Sequence, residues 1–266
     1  SRYRAIRLHA RGGLGEVHVA QDEELQREVA LKEIQEHHAH DGASRARFVR
    51  EAELTGRLEH PGIVPVYGLS AHSDGRPFYA MRFIQGESFK DAIERFHSSE
   101  EKKLIGERLV QLRQLLKRFQ DSCHAIAYAH IRVLIDRDIK PDNIMLGKFG
   151  ETLVVDWGLA RGVNEDEEIS TAKTIDAGPE VTQAGTILGT PAFMSPEQAM
   201  GRTKELTPVS DVHSLGATLY FLLTGETPFQ GTSIRTILKN LVEGNATLVR
   251  QMNPHVPASL AAICHK

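Results

Sequence analysis

Asp136-Arg137-Asp138-Ile139-Lys140-Pro141-Asp142-Asn143 sets carboxylates, two cations and an amide side by side between apolar stretches. A short distance on, Asp156-Trp157-Gly158 follows the apolar triplet Leu153-Val154-Val155. Each residue type in these strings has a chemical use. A carboxylate can take a proton from a hydroxyl. Asparagine and aspartate oxygens suit a hard cation such as Mg²⁺. A lysine can neutralise charge that builds on a phosphoryl group in transfer. The apolar pieces at 144–146 and 153–155 read as a small hairpin around residues 148–151, which would carry the two strings.

Upstream, Ala10-Arg11-Gly12-Gly13-Leu14-Gly15-Glu16-Val17 is a glycine-rich turn entering an apolar strand. Without Cβ atoms, backbone N–H groups can approach phosphate oxygens. Alone this is a weak signal, because most such turns are only turns. Val29-Ala30-Leu31-Lys32 adds a strand that ends in a lysine able to point into a cleft. The bland alternative is a solvated strand end. Residues 43–58 have helical spacing, with Phe48, Ala52 and Leu58 on one side, and Pro61 stops the run. Glu51 on that helix is placed to hold Lys32, whereas Glu53 lies on a different face. Residues 63–69 and 77–84 read as further strands, with Gly75 turning between them.

Taken together, the ordered motifs resemble a protein kinase, specifically the catalytic domain of a bacterial eukaryotic-like (Hanks-type) serine/threonine kinase. The resemblance runs from residue 11 to residue 229. It implies an α+β, bilobal fold with a strand-rich N-lobe at 1–84 and a helical C-lobe at 85–266. It also implies ATP as co-substrate with Mg²⁺, or Mn²⁺ in its place. Asp138 would be the base or hydroxyl-orienting residue, and Lys140 would contact the γ-phosphate. Asn143 and Asp156 would hold the metal. Lys32 would bind the α- and β-phosphates and pair with Glu51. Ala10, Gly12, Gly13, Gly15 and Val17 would cover the nucleotide. Ala30, the gate residue Met81 and the hinge around Phe83 would enclose its base. Thr190, before the Ser195-Pro196-Glu197 segment, would hydrogen-bond near Asp138 and Lys140, favouring a hydroxyl acceptor. Asp211 would brace the catalytic loop. Arg137 would pair with a phosphorylated residue of the loop at 162–189, with Thr182 and Thr186 the best-placed candidates. The partners implied are protein serines and threonines, the chain itself, and a second copy for activation.

The sequence departs from the family pattern in three places near these strings. Ala10 stands where the first loop glycine is usual, a mild change. Trp157 replaces phenylalanine and keeps an apolar aromatic. Asp136 stands where histidine is usual, in an apolar column to which Thr55 would add a second polar member. A buried carboxylate is costly without a partner and its pKa should rise. The expectation is a loosened or less stable active state, and a pseudokinase module that binds nucleotide or scaffolds is the alternative function. The final residues read as an unfinished late helix, which would leave Glu197 without its usual arginine. The opening serine suggests a piece of a longer protein.

Composition excludes other classes. The 266 residues carry 32 Lys plus Arg against 35 Asp plus Glu, a net charge of −3 that gives no general pull toward nucleic acid or anionic membrane. Two cysteines argue against a disulfide scaffold and fit a reducing compartment. No apolar run reaches the ~18 residues of a membrane span. A cytoplasmic location follows, and a membrane-anchored parent with a cytoplasmic kinase domain is equally compatible. His37, His38 and His40 read as surface loop rather than a metal site, since no other ligands of a closed site lie nearby. Helical spacing over 102–130, 210–224 and 232–242 completes the pattern of strands followed by helices.

Overall fold

The computed structural model describes residues 2–98, 105–162 and 191–265. Its N-terminal part is a five-stranded antiparallel sheet formed by β1 (Tyr3–Arg11), β2 (Gly15–Asp22), β3 (Arg27–Ile34), β4 (Val66–Ala71) and β5 (Pro77–Arg82), in the order β1-β2-β3-β5-β4. A short α1 (Glu36–Ala39) leads into α2 (Gly42–Gly56). The side chain of Asp41 caps α2 by accepting from the Ser44 N–H, satisfying one of the first-turn donors. Phe48, Glu51, Ala52 and Thr55 recur at helical spacing as the buried face. Phe48 and Ala52 pack with Ile34, Ala39 and Tyr79, so the same face that builds the core carries Glu51 inward.

After β5 come β6 (Gly86–Ser88), α3 (Phe89–Ser98), α4 (Ile105–Ile131), β7 (Leu134–Ile135), β8 (Ile144–Gly147), β9 (Thr152–Val154) and β10 (Arg161–Gly162). β6, β8 and β9 form a small antiparallel sheet, and β7 pairs with β10. Then follow α5 (Pro196–Ala199), α6 (Pro208–Thr224), α7 (Ile234–Val242), α8 (Val249–Met252) and α9 (Ala258–Cys264). α6 is the buried axis of this part: Leu219, Tyr220, Leu222 and Leu223 join the largest apolar cluster together with Phe89, Ile93 and Phe193. A Thr207/Ser210 capping box starts α6, and Gly225, at φ +78°, ends it.

The two parts meet at the hairpin β8–β9. Ile63 forms a parallel bridge with Val154, Val64 N–H donates to Val154 O at 3.2 Å, and Val154 N–H donates to Gly62 O at 2.8 Å. Arg82 pairs with Glu151 across the same junction. This contact corrects the reading of a strand over 63–69. The strand starts at Val66, because residues 62–64 spend their hydrogen bonds on the hairpin instead of the sheet. β1 was not expected either. Its residues from Arg4 to Arg11 are all exposed, so the alternation of Ile6, Leu8 and Ala10 with Arg7, His9 and Arg11 reports no buried face. The helix expected over 232–242 begins at Ile234, where Ser233 caps it. Among the described residues no group of histidine, cysteine and carboxylate side chains is arranged to hold a metal by itself. None of their helices is long and apolar enough to cross a membrane.

Candidate active site

The register of the sheet places the first functional side chains. Ala10 lies opposite Val17, Val17 opposite Lys32, and Ala30 opposite Met81, so these residues share one face of the sheet across β1, β2, β3 and β5. Phe83, just beyond β5, sets its ring edge-to-face against His9 at 5.4 Å. The loop between β1 and β2 is closed by a Gly12 N–H to Gly15 O bond of 2.9 Å, and the Gln35 amide donates to Gly12 O at 2.5 Å. The glycines are not equivalent. A Cβ on Gly13 would meet nothing, whereas one on Gly15 would sit 2.9 Å from the Glu33 carbonyl and 3.3 Å from the Phe48 ring. Gly15 is therefore required by packing of the sheet on α2, and Gly13 leaves open space at the loop tip.

Lys32 is the centre of the upper wall. Its Nζ donates to Glu51 Oε1 at 2.5 Å and to Asp156 Oδ1 at 3.2 Å. The Tyr79 hydroxyl donates to the same Glu51 oxygen at 2.7 Å. Burial alone would lower the lysine pKa, but the negative charges of Glu51 and Asp156 hold it well above the usual range. Burial and the Glu51 charge likewise keep Tyr79 protonated. Glu53 is exposed, so only Glu51 reaches the lysine. The positive charge of Lys32 in turn holds Asp156 below the ordinary carboxylate range. Asp156 adopts φ +63°, and its side chain is 48% exposed, open to the cleft. A Cβ on Gly158 would lie 3.0 Å from Glu51 Oε2, so only glycine lets this turn pass under the helix.

The floor is built around Asp138. Lys140 Nζ and Asn143 Nδ2 both donate to Asp138 Oδ2, at 2.7 and 3.1 Å, and Asn143 Nδ2 also reaches the Asp138 carbonyl at 2.9 Å. Among the described residues none donates to Oδ1. Burial raises the Asp138 pKa against the pull of Lys140, which makes it a better proton acceptor than a solvated carboxylate.

Beneath the floor lies Asp211 of α6. Its carboxylate accepts from Asp136 N–H and Arg137 N–H, each at 2.9 Å, and contacts His130 Nε2 at 2.7 Å. Gln198 Nε2 donates to the Arg137 carbonyl at 2.6 Å. Arg137 is thereby held on both sides in a left-handed conformation, φ +73°, which costs about 1–3 kcal/mol for a residue other than glycine. Asp136 is 1% exposed. Its Oδ1 accepts from Asp138 N–H at 3.1 Å, while Oδ2 is buried with no partner among the described residues. Burial, then the neighbouring Asp211 charge, push its pKa well up, in the direction the sequence reading expected.

Beside the cleft, Arg47 and Arg50 of α2, Arg137, and Arg161 of β10 converge on one pocket together with Trp157 and Gly158. The sequence reading named only Arg137. The other three are ordinary exposed-type residues far apart in the chain, and no local pattern marks them. Tyr79, His130, Gln35 and Gln198 were missed for the same reason. Glu197, for which the sequence reading foresaw no arginine, accepts a hydrogen bond from the Ser210 hydroxyl. Thr55 is buried and donates its hydroxyl to the Glu51 carbonyl at 2.8 Å, which satisfies it within its own helix. Thr182, Thr186 and Thr190 lie outside the described residues.

Comparison with known proteins bears on these residues as a set. A family model described as a protein kinase domain matches residues 3–262. The chain is similar to serine/threonine-protein kinase PknD of Protochlamydia amoebophila, 35% identical over 90% of this chain and 24% of that protein. It is likewise similar to PknD of Chlamydia muridarum, 36% identical over all of this chain and 29% of the relative. The PknD of Chlamydia trachomatis serovar L2b is 37% identical over 86% of this chain and 25% of that protein. The chain thus spans about a quarter of the length of the curated relatives it matches.

Proposed function

The chain belongs to the protein kinase family, and from that premise we propose that it transfers the γ-phosphoryl group of ATP to serine and threonine hydroxyls of proteins, its own among them. The observation that carries this reading is the continuous charged chain from Glu51 through Lys32 to Asp156, set over an Asp138 carboxylate tied down by Lys140 and Asn143. The α+β architecture supplies the two walls, and the division at 84/85 into N-lobe and C-lobe is part of the same proposal.

The residues fit a divalent cation. Asp156 is kept ionised by Lys32 and faces the cleft, and Asn143 spends its amide hydrogens on Asp138, which leaves its carbonyl oxygen as a ligand. Mg²⁺, or Mn²⁺, held by Asn143 and Asp156 would supply charge neutralisation at the phosphates. The chain's own groups do the rest. Lys32 binds the α- and β-phosphates, and the loop of Gly12, Gly13 and Gly15 covers them, with Ala10 and Val17 above. Ala30, Met81 and Phe83 enclose the base. Asp138 orients the acceptor hydroxyl and takes its proton at Oδ1. Lys140 neutralises the moving γ-phosphoryl group, and Thr190 selects an aliphatic hydroxyl. The acceptor oxygen bonds to the γ-phosphorus as its bond to the bridging oxygen of ADP breaks.

Regulation belongs to the same proposal. The four arginines Arg47, Arg50, Arg137 and Arg161 form a concave cationic surface suited to a phosphate of about −1.5 to −2 charge. Phosphorylation at Thr182 or Thr186 would supply it, in this chain or in a paired copy, on the cytoplasmic side. Incubation of the chain with Mg-ATP and a generic protein substrate, with Asp138→Asn as control, tests the reading. We expect phosphoserine and phosphothreonine on substrate and chain, reduced at least about a hundredfold by the control substitution. Nucleotide binding with no phosphate transferred would establish the scaffolding alternative instead.

A further inference from the structure

Of the buried side-chain polar atoms that make no hydrogen bond among the described residues, two beneath the active site are chemically complementary and sit on adjoining segments. One is Asp136 Oδ2, an acceptor in the ionised carboxylate; the other is Trp157 Nε1, a donor. Both side chains are 1% exposed. Their segments run side by side. β7 ends at Ile135, which lies opposite Arg161 of β10, and Trp157 O accepts from Ala160 N–H at 3.0 Å, turning the chain back toward β7. Leu134 and Ile139, which bracket Asp136 in sequence, pack in one cluster with the Trp157 ring. The charged groups that act on Asp136 are Asp211, Asp138 and Asp156, all carboxylates with no proton to offer Oδ2. The indole N–H is the donor this core supplies.

We propose that Asp136 and Trp157 form a hydrogen-bonded pair, Nε1–H to Oδ2, and that Asp136 is thereby a positioning residue rather than a defect. Forming it takes a side-chain rearrangement or a bridging water. Its consequence follows from the other ends of the two residues. Asp136 Oδ1 accepts the backbone N–H of Asp138 at 3.1 Å, and Trp157 adjoins Asp156 in the chain. One carboxylate therefore ties the proton-accepting aspartate to the segment that bears the cleft-facing one. A histidine over a phenylalanine stacks two rings and makes no such bond. The two departures of this sequence, Asp136 and Trp157, compensate each other. The inference rests on the kinase reading only for its effect on turnover, and the bond itself can be observed without activity.

Trp157 is the sole tryptophan, so the ¹⁵N-labelled chain gives a single indole N–H resonance. We expect that resonance downfield of free indole and protected from exchange at least about tenfold. Asp136→Asn should move it upfield, because an amide whose oxygen keeps the Asp138 N–H turns its NH2, a donor, toward the indole. Asp136→Asn and Trp157→Phe should each lower kcat about tenfold, with KM for ATP within about threefold. Asp136→His alone should also be impaired. The double variant Asp136→His/Trp157→Phe should recover to within about threefold of the parent, a non-additive result. An indole N–H at the free-tryptophan position with free-indole exchange would overturn the proposal on the unmodified chain, whether or not any variant folds. So would a resonance unmoved by Asp136→Asn, or additive losses in the double variant. Absence of all kinase activity would count against the function, while the resonance would still decide the pair.

Discussion

The upper wall and the floor of the cleft bury the same kinds of charge in opposite company. Above, Lys32 sits between two carboxylates, and each negative group has a cation or a hydroxyl turned toward it. Below, Asp136 and Asp211 are carboxylates facing one another, relieved mainly by backbone N–H groups and His130. The first arrangement is electrostatic machinery whose partners can be exchanged for phosphates. The second is scaffolding: the Asp211 carboxylate organises the backbone on which Asp138 rides. Function should be concentrated in the wall and stability in the floor.

Lys32→Met is the sharpest way to break that contrast, and should have the largest effect. It removes the cation proposed to bind phosphate, and phosphate transfer should fall at least about a hundredfold. It also strands Glu51, 3% exposed, without its charge partner. Stranding a buried charge costs about 3–5 kcal/mol when nothing relaxes, but the Tyr79 hydroxyl remains on Glu51 and should hold the loss to the low end. Turnover and the denaturation midpoint, measured on the same preparation, check both parts. Asp211→Asn should show the opposite balance. The amide keeps one acceptor oxygen for three donors, so the protein should lose about 2–3 kcal/mol of stability. Turnover of the fraction that stays folded should fall only about tenfold. If Asp211→Asn abolished turnover with its melting temperature unchanged, the division between wall and floor would be wrong.

How much of this was legible in the sequence follows the same line. The wall could be read, because a strand-end lysine and a helical glutamate on the core-facing side leave a local pattern: Glu51 shares its face with Phe48 and Thr55, and Glu53 does not. The charged strings around Asp138 and Asp156 were legible from residue type and order. The burial of Asp136 was expected from the resemblance, which places it where a histidine of an apolar column is usual. What holds the floor was only partly readable. Asp211 could be placed, but the His130 and Gln198 contacts join residues of ordinary type across the fold. β1 was missed although Ile6, Leu8 and Ala10 alternate with polar residues: its side chains are exposed from Arg4 onward, and the ladder to β2 holds it. The four-arginine pocket draws on α2, the catalytic loop and β10, so only the tertiary structure assembles it.

That pocket offers a middle-sized effect that sharpens the comparison, since it borders the wall through Glu51 and the floor through Arg137. Arg47→Ala/Arg161→Ala should leave less cationic surface for a phosphate on the neighbouring loop. The gain in turnover expected on autophosphorylation under the proposed regulation should shrink about three- to tenfold, and more at low ionic strength, where exposed charges act furthest. Time courses begun with phosphatase-treated chain and followed by mass spectrometry would check it. An activation lag and final rate identical to the parent would separate the arginines from regulation.

The smallest effect lies outside the cleft and sets the baseline for a buried carboxylate with a proper cation. Asp22, at the end of β2, accepts two bonds from the Arg2 guanidinium, at 3.0 and 2.9 Å, and one from Glu24 N–H at 3.2 Å. The Arg2 hydrogen bonds are the main cause that takes its pKa down to about 2. An unfolded aspartate titrates near about 3.9. Because the folded value is the lower one, the stabilisation is fully present above about pH 4 and is lost as pH falls through about 2. Asp22→Asn should therefore lower the melting temperature by only a few degrees at pH 7. The gap between variant and parent should narrow steadily from pH 4 downward. Asp136 should behave in the reverse sense, because its folded-state pKa is raised: its ionisation costs stability as pH rises above about 4. A titration of the Asp22 and Asp136 carboxyl carbons in the same sample would show the first bending below the unfolded value and the second above it. Two curves that coincide would mean that neighbouring charge does not distinguish these sites, and the contrast between paired and unpaired carboxylates would fail.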